Sequence, residues 1–219
     1  RVATVQKEII RRCHQARLPV ITATQMLESM TNSRLPTRAE ATDVANAVLD
    51  GTDALMLSAE TAMGQYPVEA VSMMSRIARE AERLVQPRLD HEPGSDFGVS
   101  PVTEALLEAT SRVADQLQAK LVTVATRSGN TARVLSKQRS RTPILGISHT
   151  EPTVRRMCLY WGVTPLHTPE FQNSGELLNH VIDWARRQNL LAPRDRVVLI
   201  ASTHWTTAGH DMILVHEVS

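Results

Sequence analysis

Aromatic residues make up only 3% of this 219-residue chain, cysteine occurs twice, and neither sign of charge prevails, with 24 Lys and Arg against 23 Asp and Glu. A formal net charge of +1 generates no field that would make nucleic acid or an anionic membrane surface the main partner, so any anion site must be local. No apolar run approaches the roughly 18 residues of a membrane helix. The opening stretch RVATVQKEIIRRCHQ is too charged for a signal peptide. The expectation is a protein of the cytoplasm, neither secreted nor membrane-inserted. Cys13 and Cys158 lack the paired spacing of a zinc or redox centre and read as buried thiols in a reducing compartment. The eight histidines offer no helical pair four apart and no zinc-ligand cluster.

What is present is an α/β rhythm in two parts. The stretch Pro87 to Ser100, PRLDHEPGSDFGVS, gathers prolines, glycines and charges without an apolar period and reads as a linker between residues 1–86 and 101–219. The chain opens on Arg1 and enters a helical pattern almost at once, which reads as an excerpt of something longer.

In the first part, a helix over VATVQKEIIRRCHQARL precedes PVITAT (19–24), β-branched and apolar on both faces like a strand buried in a parallel sheet. Thr37 to Asp50 reads as a helix with Thr37 and Glu40 at capping-box spacing and Gly51 as its stop. DALMLS (53–58) is a second strand, and Pro67 to Leu84 a third helix. Such units belong to an open doubly wound sheet or to an eight-stranded barrel, which two strands alone cannot close. Chemistry in either architecture sits where strands end, which singles out Thr24 with Gln25, and Ser58 with Glu60 and Thr61. Hydroxyls there can bond a carboxylate or phosphate oxygen or pass a proton through water; as helix caps they would do neither.

In the second part, Ser100 and Pro101 open a helix running to about Gln118. The strand Leu121 to Thr126 then feeds Arg127, Ser128, Gly129, Asn130 and Thr131 and the helix ARVLSKQR, an arrangement that serves as a phosphate cradle or as simple capping. Strands at 143–148, 163–167, 196–201 and 212–218 alternate with helices at 151–161 and 174–188, giving a small open α/β domain. The cations Arg133, Lys137, Arg139 and Arg141 read as a solvated helix face, since no aromatic platform for RNA accompanies them. His204 and His210 read as surface histidines, and Trp161, Trp184 and Trp205 as core or interface packing.

Three blocks, ATQMLESM (23–30), PTRAEATDVANAVLDGTDALMLSAET (36–61) and GQYPVEAV (64–71), closely resemble pyruvate kinase, with a looser match through the remainder. The resemblance implies the last helix and strand units of a (β/α)8 barrel over 1–86, then the family's C-terminal α/β regulatory domain over 101–219. It implies phosphoryl transfer from phosphoenolpyruvate to ADP, giving pyruvate and ATP in glycolysis, with magnesium and potassium and a homotetrameric assembly. It gives Thr24 the phosphoenolpyruvate carboxylate, Ser58 a place in the network that delivers a proton to the enolate, and Arg38 a place near the subunit interface that couples active sites. Thr126, Arg127, Ser128, Gly129, Asn130 and Thr131, with Trp205 and Gly209 in the loop THWTTAG, take the part of an allosteric sugar-phosphate site. Ala59 departs from the family's glycine, which a negative φ would tolerate. The family's catalytic lysine and acidic metal ligands belong to earlier strands and have no counterpart here, so this chain alone is expected to be inactive. The alternative is a non-catalytic module that binds a sugar phosphate or docks on a subunit.

Overall fold

The computed structural model describes residues 2–86, 98–202 and 209–219. The chain divides into two compact units, Arg1–Gln86 and Pro87–Ser219. In the first, helix α1 (Val2–Gln15) ends where Arg17 turns left-handed at φ 54, short of Leu18. The strands β1 (Ile21–Ala23) and β2 (Ala54–Met56) pair in parallel, with Ile21 opposite Ala54 and Ala23 opposite Met56. Asp53 fixes that register. Its Oδ2 accepts the Val20 amide at 2.8 Å, while its own amide donates to the Val20 carbonyl at 2.9 Å.

The crossover is α2 (Arg38–Asp50), and its ends follow from local chemistry. Thr37 and Glu40 form the reciprocal capping box, and Gly51 closes the helix at φ 102, where a side chain would be strained. Helix α4 (Pro67–Glu82) starts on its proline. Met26, Leu27 and Met30 pack with Val44, Ala47, Ala70 and Met74 in the core of this unit. Neither strand is buried on both faces as the sequence suggested: Ile21 is 48% and Met56 44% exposed, because a two-stranded sheet lacks the neighbouring strands and covering layers that enclose a parallel sheet. Two short elements carried no period to reveal them: a 3-10 turn over Glu28–Thr31 and α3 (Ala59–Ala62). Ala59 has no positive φ, so the methyl that replaces glycine is tolerated.

The second unit contains α5 (Pro101–Gln116), β3 (Leu121–Ala125), α6 (Asn130–Ser136), β4 (Ile144–Ser148), α7 (Glu151–Met157), β5 (Val163–His167), α8 (Ser174–Arg187), β6 (Arg196–Ala201) and β7 (Met212–Glu217). The sheet order is β5-β4-β3-β6-β7, parallel except for β7. Strand alternation sorts the helices. Val122 and Val124 face Leu107, Ala132, Leu135 and Met157 of α5, α6 and α7, whereas Leu121 faces Leu177 and Val181 of α8 with Leu145 and Val197. Three layers result, with Trp184 packed against the second cluster.

Two expectations, the buried thiols and the solvated cation face, fail here because tertiary packing decides them. Cys158 is exposed and Cys13 only half-buried. Lys137 and Arg139 are each 1% exposed rather than on a solvated face. The chain leaves α6 at Lys137 and turns, with Arg139 at φ 52, which carries the Arg139 guanidinium over the Trp161 ring at 4.9 Å. Of the linker expected over 87–100, residues 87–97 lie outside the described residues; Ser100 is the cap of α5, its hydroxyl accepting the Thr103 amide at 3.2 Å.

Thr37→Ala removes the capping hydroxyl of α2 and is expected to lower the stability of the chain by about 1 kcal/mol in urea unfolding. For Glu40, burial alone would raise the carboxyl pKa, but hydrogen bonds from Ser29 and Thr37 hold it below its ordinary 4.5. Its stabilising contribution is therefore present above pH 4.5 and is lost as pH falls through the lower native value, which unfolding series at decreasing pH will show.

Candidate functional site

The parallel strands of the first unit end side by side. Beyond β1 the chain turns abruptly, with Thr24 at φ 69 and Gln25 at φ 54. A β-branched residue in the left-handed region costs about 1 to 3 kcal/mol and persists only where its surroundings enforce it. Thr24 is exposed, and its hydroxyl donates to the Ala23 carbonyl at 2.7 Å. Ser58, beyond β2, stands at φ −122 and ψ −98, outside the helical and extended wells. Although it occupies the cap position of α3, its side chain makes no capping bond.

Glu60 joins the two loops. It is fully buried, and its Oε1 accepts the Leu27 amide at 2.9 Å while Oε2 accepts the Ser58 amide at 2.8 Å. A buried carboxylate without such donors would cost several kcal/mol. Close packing reinforces the link: a Cβ on Gly64 would meet the Glu60 carbonyl oxygen at 2.4 Å, and the Gln65 amide donates to the Thr31 carbonyl at 2.8 Å. Sequence reasoning marked Glu60 only as a strand-end residue; its pairing with Leu27, 33 positions away, is visible only in the fold. Arg38 is exposed in the first turn of α2, two residues before Glu40, whose carboxylate accepts the Ser29 and Thr37 amides at 2.7 and 2.8 Å.

In the second unit a cavity of about 500 Å³ opens at the C-terminal edge of β3, β4, β5 and β6. Its walls include Thr126, Arg127, Ser128 and Thr131 from the β3–α6 turn, Ser100 and Thr103 from the start of α5, Phe171, and Gly209 with His210. The turn is internally braced. Thr126 Oγ1 accepts the Gly129 amide at 3.0 Å, Ser128 Oγ accepts the Asn130 amide at 3.3 Å, and the Asn130 side chain donates to the Gly98 carbonyl at 3.2 Å. Gly129 is left-handed at φ 83. Two amides of the turn are thus engaged by side chains, while Arg127 and Ser128 stand exposed on the cavity wall. Arg127 pairs with Glu170 at 3.0 Å, both partners largely exposed. Trp205 lies outside the described residues.

His210 is not the surface histidine the sequence suggested. Its Nε2 lies 2.8 Å from the Ala125 carbonyl and must carry the proton, because a carbonyl only accepts. Thr103 Oγ1 accepts the His210 amide at 2.9 Å and lies 3.0 Å from the His210 carbonyl, so α5 grips the backbone here. Burial lowers the imidazole pKa from its ordinary 6.5, against the Ala125 hydrogen bond and the Asp211 charge, which raise it. The expected outcome in an NMR titration is a His210 midpoint below 6.5 and, because the unfolded chain then binds more protons, stability that declines as pH falls from 6.5 toward that midpoint. A midpoint at or above 6.5 contradicts the buried placement.

Among the described residues no group of three His, Cys, Asp or Glu is placed to hold a metal ion. Glu60, the buried acid at the strand ends, has both oxygens engaged by amides. Glu60 is thereby occupied as an acceptor and is not free to ligate magnesium. No described helix is long and apolar enough to cross a membrane.

Comparison with known proteins agrees with the architecture. Residues 1–71 match the family described as pyruvate kinase, barrel domain, and residues 104–216 match pyruvate kinase, alpha/beta domain. The chain is similar to pyruvate kinases of Eimeria tenella, 40% identical over 98% of this chain and 41% of that protein, and Clostridium acetobutylicum, 38% identical over 100% and 46%. The crystal structure of a pyruvate kinase from Cryptosporidium parvum superposes with a TM-score of 0.87 at 32% identity, covering 100% of this chain and 43% of that one. The chain thus spans less than half the length of these relatives. With one family domain matched in each of its two units, the chain belongs to the pyruvate kinase family.

Proposed function

We propose that the protein to which this chain belongs transfers the phosphoryl group of phosphoenolpyruvate to ADP, giving pyruvate and ATP. The observation that carries the reading is the pair of hydroxyl-bearing loops at the C-terminal ends of parallel β1 and β2, held together by Glu60, in a chain of this family. Thr24, exposed beyond β1, holds the substrate carboxylate by turning its hydroxyl proton from the Ala23 carbonyl to the ligand. Ser58, whose hydroxyl is not spent on a cap, relays a proton toward the enolate. The ligands for magnesium and potassium, and the cationic group that neutralises the transferring phosphoryl, are supplied from outside this chain, so residues 1–219 alone do not turn over.

The second unit binds a phosphorylated effector. Support comes from the cavity bordered by the hydroxyls of Thr126, Ser128 and Thr131 and by Arg127. Every residue lining that cavity lies within 98–210, so effector binding is separable from turnover. The same separability favours, as a second reading, a module that binds a sugar phosphate without catalysis. On the first reading the protein works in the cytoplasm as a homotetramer, with Arg38 at a subunit contact. Exposed Leu35, Met63 and Val68 are apolar surface available for such contacts.

In the complete protein, Thr24→Ala is expected to raise the KM for phosphoenolpyruvate about tenfold, the loss of one hydrogen bond to a charged group. Ser58→Ala is expected to slow proton exchange into pyruvate more than it slows phosphoryl transfer. Steady-state kinetics and tritium exchange measure the two effects. An unchanged KM removes the carboxylate role, and equal slowing of both steps removes the relay. For the effector turn, Ser128→Asp is expected to abolish activation by sugar phosphates through like-charge repulsion. Activation that persists means the turn is only a helix cap.

A further inference from the structure

We infer that Glu60 is a positioning residue for the reaction, setting the substrate-binding loop after β1 and the proton-relay loop after β2 relative to one another through its two carboxylate oxygens. The inference rests on the reading of Thr24 and Ser58 given above, and it assigns their geometry to a third side chain that touches neither substrate nor product.

Three observations converge. First, each oxygen of Glu60 is committed to a different loop, Oε1 to the Leu27 amide at 2.9 Å and Oε2 to the Ser58 amide at 2.8 Å. The second bond falls on the backbone of the relay residue itself. Second, the backbone at both strand ends is in unfavourable territory, with Thr24 at φ 69, Gln25 at φ 54 and Ser58 at φ −122, ψ −98. Neither loop holds its shape by intrinsic preference, so the shape must be imposed. Third, Glu60 cannot drift. It is fully buried, it sits in α3, and the approach of Gly64 to its carbonyl oxygen, where a Cβ would stand at 2.4 Å, pins the backbone that carries it. Leu27, at the other end of the clamp, is itself fully buried against Met30, Val44 and Ala70. The loop bearing Thr24 is therefore anchored to the helical core on one side and to the Ser58 loop on the other.

The direction of the hydrogen bonds makes the role specific. Both partners are N–H donors, so only a group that accepts at two points can close the clamp. A glutamine in the same space offers one oxygen and one amino group, and the amino group would confront an amide N–H. That repulsion opens the clamp, so both loops shift relative to one another while the volume of the buried side chain is unchanged.

The test is Glu60→Gln in the complete enzyme, read in two parameters at once. Thr24→Ala should move the KM for phosphoenolpyruvate and Ser58→Ala the rate of proton exchange into pyruvate; Glu60→Gln should move both, each about tenfold or more, as expected when reacting groups shift by a fraction of an ångström. A side chain that merely stabilises the fold would lower the melting temperature and leave both parameters, per folded enzyme, where they were. That result, or a change confined to one parameter, overturns the inference while Thr24 and Ser58 keep their roles. If instead Thr24→Ala and Ser58→Ala are silent, the reading of the hydroxyls fails and the positioning role falls with it. Should Glu60→Gln not fold, Glu60→Asp retains two acceptors but withdraws them by about one bond length, roughly 1.5 Å, and should show the same paired effect. Hydrogen exchange on the unaltered protein reads the clamp directly: slow exchange at the Leu27 and Ser58 amides supports it, and fast exchange at either overturns it.

Discussion

The carboxylate of Glu60 is the contact on which the first unit depends. Two three-residue strands contribute few ladder bonds and leave their sheet edges open, so the β1–β2 pair by itself is a weak scaffold. Asp53 secures the N-terminal ends of the strands by exchanging bonds with Val20, and Glu60 secures the C-terminal ends by receiving Leu27 and Ser58. Between these two acids the strands are held at both ends, and loops with strained backbones become tolerable. Burial of Glu60 is costly in isolation, and its two amide donors offset that cost.

The second unit reaches a similar end by different means. A five-stranded sheet covered on both faces gives its strand ends rigidity from packing alone, and the cavity lies where the parallel strands finish. There the polar contacts shape the rim. Thr126 and Ser128 brace the turn from within, Thr103 grips His210, and His210 donates to the end of β3. On the proposed function the two units divide the labour, with strand-end hydroxyls for chemistry in one and a rimmed cavity for recognition in the other.

Much of the fold was legible because it is encoded locally. Thr37 with Glu40, Gly51, Ser100 with Pro101 and the run Arg196–Ala201 announce their elements within a few residues, and the structure places caps and strand where those signals stand. Strand lengths were overestimated at Thr24 and Ser58 because the backbone departs from extended geometry at the residues of interest, a departure imposed from a distance. The burial of Arg139 against Trp161, the exposure of Cys158 and the placement of His210 depend on segments far apart in sequence, so hydropathy alone pointed the wrong way. Of the candidate site, the hydroxyls were visible from the rule that parallel strands present chemistry at their C-terminal ends. The partnership of Glu60 with Leu27 was not, since nothing in a glutamate's immediate neighbours names the amide it will receive.

The central claim is that this chain is one part of a phosphoryl-transfer enzyme, with its chemistry built on β1 and β2 and its regulatory cavity on β3 to β6. The most direct measurement is the initial rate of pyruvate formation by the purified native polypeptide supplied with phosphoenolpyruvate, ADP, magnesium and potassium, with its intact mass determined on the same sample. The account predicts a mass well above 24.3 kDa and turnover that requires both substrates. A polypeptide of 24.3 kDa that forms no pyruvate yet binds a sugar phosphate would contradict it and leave the binding module as the function.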